Sequence, residues 1–127
     1  VRLKWLSEFT QRRQQIAKKY IQSIENKLIY QLAEPQETAA HVYHLYVIKC
    51  KNRDALQNHV ESYGVQTLCH YPVPIHHQES YKNIRFDSKG LATSEQHAKT
   101  CLSLPCHPHM NDKDVDTVIE AVNKFKN

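Results

Sequence analysis

The chain has 127 residues, a length that fits a single domain. Hydrophobic residues make up 40% of it and charged residues 24%, and the formal net charge is +4 at pH 7. These values are ordinary for a globular protein. No apolar run approaches the roughly 20 residues that a membrane-spanning helix needs, so a membrane partner is not expected.

The four cysteines are spread along the chain at positions 50, 69, 101 and 106. A chain with this many other core-forming residues does not need a disulfide framework, and its cysteines are typical of reduced thiols. The charged N-terminal region also has no signal-peptide pattern. We therefore expect a cytoplasmic protein.

A long amphipathic helix is predicted over residues 3–29. Its apolar residues recur at spacings of three, four and seven, which places them on one face. They are Trp5, Phe9, Ile16, Tyr20, Ile24 and Leu28. Arg13 lies within this stripe and is predicted to make a structural ion pair. No capping residue precedes the helix, so we expect the chain to be cut from a longer protein.

Residues 30–40 contain Pro35 and are predicted to form a connection. The alternating segment 41–50 follows, and it is apolar on both faces, which favours a central strand covered on both sides. His44 and Tyr46 lie in the middle of this segment, so both are predicted to be core residues rather than catalytic ones.

A helix is predicted over residues 53–63, with Asn52 as its N-cap. Gly64 stands where a residue with positive φ commonly ends a helix. A short strand at 65–69, a helical turn at 76–81 and a polar loop at 82–90 are predicted next. A helix then runs from Thr93 to Thr100, and Thr93 with Gln96 resembles a capping box at its start. A third strand at 101–104 and a last helix, capped by Asn111 or Asp112, complete the chain. The pattern predicts an α+β fold, with helices packed on a small antiparallel or mixed sheet of about three strands.

The segment from Cys69 to Gln78 is the best candidate for a ligand-binding loop. Its two prolines, Pro72 and Pro74, hold the backbone extended, because each restricts its own φ and disfavours a helical conformation in the residue before it. The rings that flank them have polar edges; they are His70, Tyr71, His76 and His77. A rigid loop of this composition presents hydrogen-bond donors at defined positions and is suited to binding a ligand.

Two other classes of function remain open from the residues alone. A small zinc domain would use Cys101, Cys106, His107 and His109, or Cys69, His70, His76 and His77, all of types that bind zinc. The spacing from Cys101 to Cys106 is longer than the gap typical of a zinc knuckle, which argues against this reading. A basic interaction module would rest on the sequence pI of about 8.9, but no surface for reading nucleic acid is recognisable.

Six short segments, in order, carry a resemblance to a known family. They are Arg13-Gln-Gln-Ile-Ala-Lys-Lys-Tyr20, His41-Val-Tyr-His-Leu-Tyr-Val-Ile48 with Arg53-Asp54, Gly64-Val-Gln-Thr67, His70-Tyr-Pro72 with Pro74-Ile-His76, Leu102-Ser-Leu-Pro105 with Pro108, and Val115 with Val118-Ile119. Together they resemble the C-terminal part of the DegT/StrS family of sugar aminotransferases, which are pyridoxal-phosphate enzymes of fold type I. The resemblance implies that residues 1–127 are the C-terminal small domain of such an enzyme.

The resemblance also implies how the work is divided in the whole enzyme. The Schiff-base lysine, the partner of the pyridine nitrogen and most phosphate ligands would lie in a large domain before residue 1. The present chain would then hold no catalytic, cofactor or metal residues, and on its own would fold without activity or bound pyridoxal phosphate. Its lysines at strand ends or in polar loops support this expectation; they are Lys49, Lys51, Lys82 and Lys89.

The same resemblance assigns His70, Tyr71 and His76 to substrate binding, at the mouth of the active site. The implied substrate is a nucleotide-linked keto-sugar for cell-envelope polysaccharide or antibiotic sugar biosynthesis. The implied partners are the large domain and, for the full-length enzyme, a second copy in a homodimer, with no nucleic acid. The alternative for Tyr71 and His76 is that they only fasten the loop by hydrogen bonds to the backbone.

Overall fold

The computed structural model describes residues 2–37, 40–81, 83, 85, 87 and 89–126. A short 3-10 helix, Arg2–Trp5, leads into α1 (Leu6–Ser23). The elements that follow are β1 (Ile29–Gln31), β2 (Tyr46–Cys50), α2 (Arg53–Ser62), the 3-10 turns Ile75–His77 and Glu79–Tyr81, α3 (Ala92–Thr100), β3 (Cys101–Leu104) and α4 (Asp112–Lys124). Within the described residues, no helix combines the length and the apolar character needed to cross a bilayer.

The three strands form one antiparallel sheet in the order β1-β2-β3. Ile29 pairs with Cys50 at one edge of the register, and Tyr46 pairs with Leu104 on the other side of β2. Helices α1 and α2 both contact α4. The predicted α+β class, with about three strands and helices packed on them, is confirmed, and the sheet is antiparallel.

The core lies between the sheet and the helices. Tyr20 of α1 is fully buried, and its hydroxyl donates a hydrogen bond of 2.8 Å to the carbonyl of Pro105. Its ring meets that of Tyr46 edge-on, with the centroids 5.0 Å apart. Ile48 and Leu102, on neighbouring strands, are also fully buried. The apolar stripe predicted for the first helix thus packs on the sheet through its central part, whereas Trp5 is 45% exposed.

The predicted helix over residues 3–29 is wrong at both ends. Its first turn is 3-10, and α1 ends at Ser23 because Ile24 is extended. The Asn26 side chain then donates to the carbonyls of Val122 and Phe125 and accepts a hydrogen bond from the Leu28 amide. These contacts turn the chain away from the helix.

The central strand is shorter than predicted, because residues 41–45 lie outside the sheet and the first two of them are held by α1. Arg13 Nε donates to the carbonyl of Val42 at 2.9 Å, and Gln14 Nε2 donates to that of His41 at 3.1 Å. Tyr43 has a φ of 48°, which interrupts an extended conformation. His44 is exposed, so its predicted place in the core is wrong; Tyr46 is buried as predicted.

Arg13 differs from its predicted role as well. Among the described residues, its guanidinium donates hydrogen bonds to two neutral oxygens, the Val42 carbonyl and the Thr10 hydroxyl. The sequence predicts an ion pair at this position instead. The side chain therefore fastens the loop before β2 to the first helix.

One strand of the sheet comes from a segment that the sequence assigns to the end of the first helix and to the start of the connection at 30–40. Residues 29–31 form β1, whereas the predicted strand at 65–69 contributes one antiparallel bridge between Leu68 and Ser103. In that bridge the Ser103 amide donates to Leu68 at 2.8 Å, and the Leu68 amide donates back at 3.3 Å. Pairing stops there because the chain then enters the proline-containing loop.

The helix ends show which capping predictions hold. Gly64 has a φ of 76° and follows α2 as predicted. Helix α3 begins at Ala92 with Leu91 at its N-cap position, so Thr93 lies within the first turn and its predicted capping box is wrong. Helix α4 has the predicted N-cap, Asn111.

Four positions of the predicted loop 82–90 lie outside the described residues; they are Lys82, Ile84, Phe86 and Ser88.

Replacing Asn111 with alanine should lower the free energy of unfolding by about 1 kcal/mol. The Asp114 amide donates to Asn111 Oδ1 at 2.9 Å, and Asp114 Oδ2 accepts from the Asn111 amide at 3.0 Å. Both bonds of this capping box would be weakened or lost. The urea midpoint measures the change, with Asn58→Ala in the exposed interior of α2 as control. A control that loses as much stability would contradict the role of the cap.

Candidate ligand-binding site

The loop that follows Leu68 is rigid, because backbone hydrogen bonds hold the residues that come directly after its second proline. Pro74 has a φ of −59° and a ψ of 151°, and it begins the 3-10 turn Ile75–His77. The His77 amide donates to the Pro74 carbonyl at 3.0 Å, and the Gln78 amide donates to Ile75 at the same distance. The loop therefore presents the side chains of His70 to His77 on a defined backbone.

His70 is anchored to the sheet. Its Nδ1 lies 2.9 Å from the hydroxyl oxygen of Ser103 in β3, and Ser103 is buried. The serine hydroxyl can donate or accept, so this contact suits either neutral tautomer of the imidazole. Because one ring nitrogen is fastened to the sheet, the second nitrogen has a defined direction in which to meet a ligand.

Tyr71 stands beyond this anchor, with 73% of its surface exposed. Its ring meets the ring of His70 edge-on, with the centroids 5.6 Å apart. A large aromatic side chain exposed to this degree adds little to a core, and it can offer both a flat face and a hydroxyl to a partner.

His76 is well enclosed, with a side chain that is 8% exposed. Its Nε2 lies 3.2 Å from Glu95 Oε1 in α3. This contact fastens the loop to a helix through a side chain, which differs from the backbone contact considered from the sequence.

The three predicted residues line one groove, which has a volume of about 670 Å³. Loop residues form one wall of the groove and helix α3 forms the other. Lining residues include His70, Tyr71, His76, Tyr81, Leu91 and His97. A concave site of this size, mostly apolar with a few polar rings, has the properties of a small-molecule pocket.

Sequence reasoning missed Ser103 and Glu95, which hold two of the loop histidines. Ser103 lies inside a short apolar strand and Glu95 in the first turn of a helix, where an acidic residue is common for reasons unrelated to ligands. Their separation from the loop is 33 positions for Ser103 and His70 and 19 for Glu95 and His76. A buried serine inside an apolar strand is the one local indication that could have pointed to a partner.

The two groups of residues considered for zinc are not assembled within the described part of the chain. Cys69 Sγ lies 3.5 Å from Cys101 Sγ, whereas Cys106 Sγ lies 3.8 Å from the Arg13 carbonyl. Burial raises the pKa of both Cys101 and Cys106 to about 11. A thiol with a raised pKa is a poor thiolate ligand at neutral pH.

Alkylation should therefore be selective for Cys69, which is half-buried while the other three cysteines are buried. At pH 8, a thiol with a pKa of about 11 is a thiolate in roughly one molecule in a thousand. Peptide mass spectrometry after brief iodoacetamide treatment should find Cys69 labelled well before Cys106. Denatured protein, in which all four should react, provides the control. Equal rates for Cys69 and Cys106 in the folded chain would contradict the burial argument.

Comparison with known proteins finds one family model that matches residues 1–123, that of the DegT/DnrJ/EryC1/StrS aminotransferase family. A dTDP-3-amino-3,6-dideoxy-alpha-D-galactopyranose transaminase of Aneurinibacillus thermoaerophilus is 37% identical over 125 residues, which cover 98% of this chain and 34% of that protein. A dTDP-3-amino-3,4,6-trideoxy-alpha-D-glucose transaminase of Streptomyces venezuelae is 30% identical, over 98% of this chain and 33% of that protein.

Solved structures agree with this assignment. The crystal structure of S. venezuelae DesV, in complex with a ketimine intermediate, superposes with a TM-score of 0.87 at 31% identity, over 97% of this chain and 33% of that one. The chain thus spans about a third of the length of the relatives it matches. On the match of residues 1–123 and these relatives, the chain belongs to the DegT/DnrJ/EryC1/StrS aminotransferase family.

Proposed function

We propose that this chain is the C-terminal small domain of a pyridoxal-phosphate-dependent aminotransferase that acts on a nucleotide-linked keto-sugar. In this proposal His70, Tyr71 and His76 bind the substrate. The observation that carries the assignment of the site is the groove of about 670 Å³ that all three residues line. Both named transaminases among the relatives carry dTDP-sugars in their names, which supports the substrate class.

The anchored geometry of the loop supports a positioning role. His70 is fastened to β3 through Ser103 and His76 to α3 through Glu95, so neither ring needs to be ordered when a ligand arrives. Tyr71 extends from between these two anchors. Pre-ordered groups bind a ligand more tightly because less conformational entropy is lost. Imidazole and phenol groups can both donate to diphosphate or sugar oxygens.

Pyridoxal phosphate would supply the electron-withdrawing chemistry of amino transfer in the whole enzyme. The described part of this chain does not fit the cofactor, because none of its described lysines is buried. Lys51 and Lys89 are exposed, and Lys49 is half-buried at the end of β2. A lysine that reacts with a carbonyl needs a neutral amine, which burial favours. We therefore assign this residue and the cofactor to another part of the protein.

The proposal also includes three features of the whole protein. A large domain would complete the active site, in keeping with relatives about three times as long. Two copies would form a homodimer, and the enzyme would act in the cytoplasm, in cell-envelope polysaccharide or antibiotic sugar biosynthesis. All four cysteines are free, including the neighbouring pair Cys69 and Cys101, which supports a reducing compartment.

In the longer enzyme, His70→Ala and Tyr71→Phe should each raise the KM for the nucleotide-sugar by about two- to tenfold. Each substitution removes one hydrogen bond, which is worth about 0.5–1.5 kcal/mol. The absorbance of the bound cofactor should not change, because neither residue is assigned to it. Tyr30→Phe, at an exposed position of β1, is the matched control. Unchanged KM and kcat in both loop variants would refute the assignment.

The chain by itself should retain no pyridoxal phosphate after dialysis, because its described lysines are all at least partly exposed. Absorbance after incubation with the cofactor measures this, and the longer enzyme, which should stay yellow, is the control. A stable one-to-one complex of the isolated chain, trapped by borohydride on a single lysine, would contradict the proposed division between two domains.

A further inference from the structure

A cluster of three side chains at the edge of the groove offers a metal-binding chemistry that the proposed substrate site does not use, although His76 belongs to both. His76 and His77 occupy the 3-10 turn, and Glu95 belongs to the first turn of α3. The ligand atoms of these three residues all lie within 4.8 Å of one another. Two imidazoles and one carboxylate form a ligand set that zinc uses in proteins.

The distances are close to those of a metal centre. His76 Nε2 and His77 Nε2 lie 3.2 and 3.7 Å from Glu95 Oε1. Ligands at about 2.0–2.2 Å from a tetrahedral zinc ion lie roughly 3.3–3.5 Å from one another. Both nitrogen-to-oxygen distances lie within a few tenths of an ångström of this range; the two ring nitrogens lie within 4.8 Å of each other, so the mostly exposed His77 side chain must also shift to bind an ion.

Two independent parts of the fold hold the ligands. Pro74 and the backbone hydrogen bonds of the 3-10 turn fix the two histidines, and their ring centroids are 4.2 Å apart. Glu95 is held separately, by the helix. The side chain of His76 is 8% exposed, that of Glu95 34% and that of His77 53%. The cluster is thus enclosed on one side and accessible on the other, which leaves a route for an ion and a coordination position for water or another ligand.

A hydrogen-bonded ion pair explains the arrangement less completely. His76 Nε2 is within hydrogen-bond distance of Glu95 Oε1, but His77 Nε2 lies 3.7 Å from the same oxygen, so a hydrogen bond accounts for the position of only one of the two rings. A divalent cation accepts all three ligands at once, through the ring nitrogens and the carboxylate oxygen, and it balances the negative charge of Glu95.

We propose that His76, His77 and Glu95 bind one Zn²⁺ ion or a similar divalent transition-metal ion. The ion joins the proline-containing loop to α3 at the edge of the groove, which His76 also lines. This inference rests on the three ligands alone and does not depend on the aminotransferase assignment.

Calorimetric titration of the tag-free chain with Zn²⁺ tests the proposal. We expect one equivalent to bind and EDTA to reverse it. His77→Ala and Glu95→Gln should each weaken binding at least about tenfold, since changes even outside the ligand set of a metal site cost 10–100-fold. His97→Ala, on the same helix as Glu95, and His107→Ala are matched controls that should keep the parent affinity. Equal affinity in the parent and in His77→Ala would overturn the proposal.

Cobalt substitution separates this site from one built on cysteines. Co²⁺ in the proposed site should give visible d–d absorption that is absent in His77→Ala, with no intense near-ultraviolet band from a thiolate ligand. A thiolate band that disappears in Cys69→Ser would place the ion elsewhere and refute the assignment. His77 is mostly exposed, so its alanine variant should fold, and circular dichroism melts verify this.

Discussion

Replacing Ile48 with alanine should lower the free energy of unfolding by about 2–5 kcal/mol. Ile48 lies at the middle of the central strand, is 0% exposed, and pairs with Gln31 on one side and Leu102 on the other. Strands on both sides limit how far the backbone can collapse into the cavity, so the loss combines lost burial with lost packing. The free energy of unfolding of a domain of this size is small, so such a loss is a large fraction of it.

Urea unfolding monitored by circular dichroism measures this loss. An m-value equal to that of the parent protein indicates that unfolding is still two-state. Ile48→Val should cost only about 0.5–1.5 kcal/mol, because one methyl group is removed. Ile75→Ala is a control of the same chemistry at a position that is 67% exposed, and it should change stability by less than about 0.5 kcal/mol. Equal losses at positions 48 and 75 would contradict the position of the core.

Stability should fall steeply above pH 10, because two tyrosines are buried in contact with each other. Burial is the main cause that raises the pKa of Tyr20, and the neighbouring Cys106 adds to it; burial also raises the pKa of Tyr46. Each folded pKa lies above the unfolded value of 10, so the contribution of each group is complete below pH 10 and is lost as the pH rises further. With two such groups, the free energy of unfolding should fall by about 2.7 kcal/mol per pH unit.

Cys106 begins this decline earlier, because burial raises its pKa from 9.0 to about 11 and its contribution is lost between these values. Urea midpoints measured from pH 8 to 12 test the expectation. Tyr20→Phe should lower stability at pH 8 by about 1 kcal/mol, through the lost bond to Pro105. It should also make the alkaline slope shallower by about 1.4 kcal/mol per pH unit. A slope in Tyr20→Phe identical to that of the parent protein would contradict the titration argument.

The sequence by itself determined those elements in which local pattern and tertiary packing agree. The capped helix α4, β3 and the turn at Gly64 stand where the residues predict them, because a cap, an apolar strand and a positive φ are local properties. The proline-containing loop is also visible locally, since prolines restrict a backbone wherever they stand. These short-range rules were sufficient for the fold class and for the choice of the loop.

Only the tertiary structure decided where the first helix ends and which segment completes the sheet. Ile24 and Leu28 continue the helical spacing, yet contacts of Asn26 with the end of α4, almost a hundred positions away, turn the chain toward β1. Residues 41–45 alternate like a strand, but the carbonyls of His41 and Val42 are bound by α1 instead. In both places local propensity is worth tenths of a kcal/mol per residue, and several long-range hydrogen bonds outweigh it.

The candidate site divides in the same way. Its first residues, His70, Tyr71 and His76, are candidates from the sequence because they stand on one proline-containing segment and because the family resemblance assigns them to substrate binding. The groups that hold them, Ser103 and Glu95, could not, because each lies on a different element and acquires its role through folding. Distances of 2.9 and 3.2 Å join residues that are 33 and 19 positions apart. Such proximity is set by the packing of the loop between β3 and α3, which no local pattern in the chain encodes.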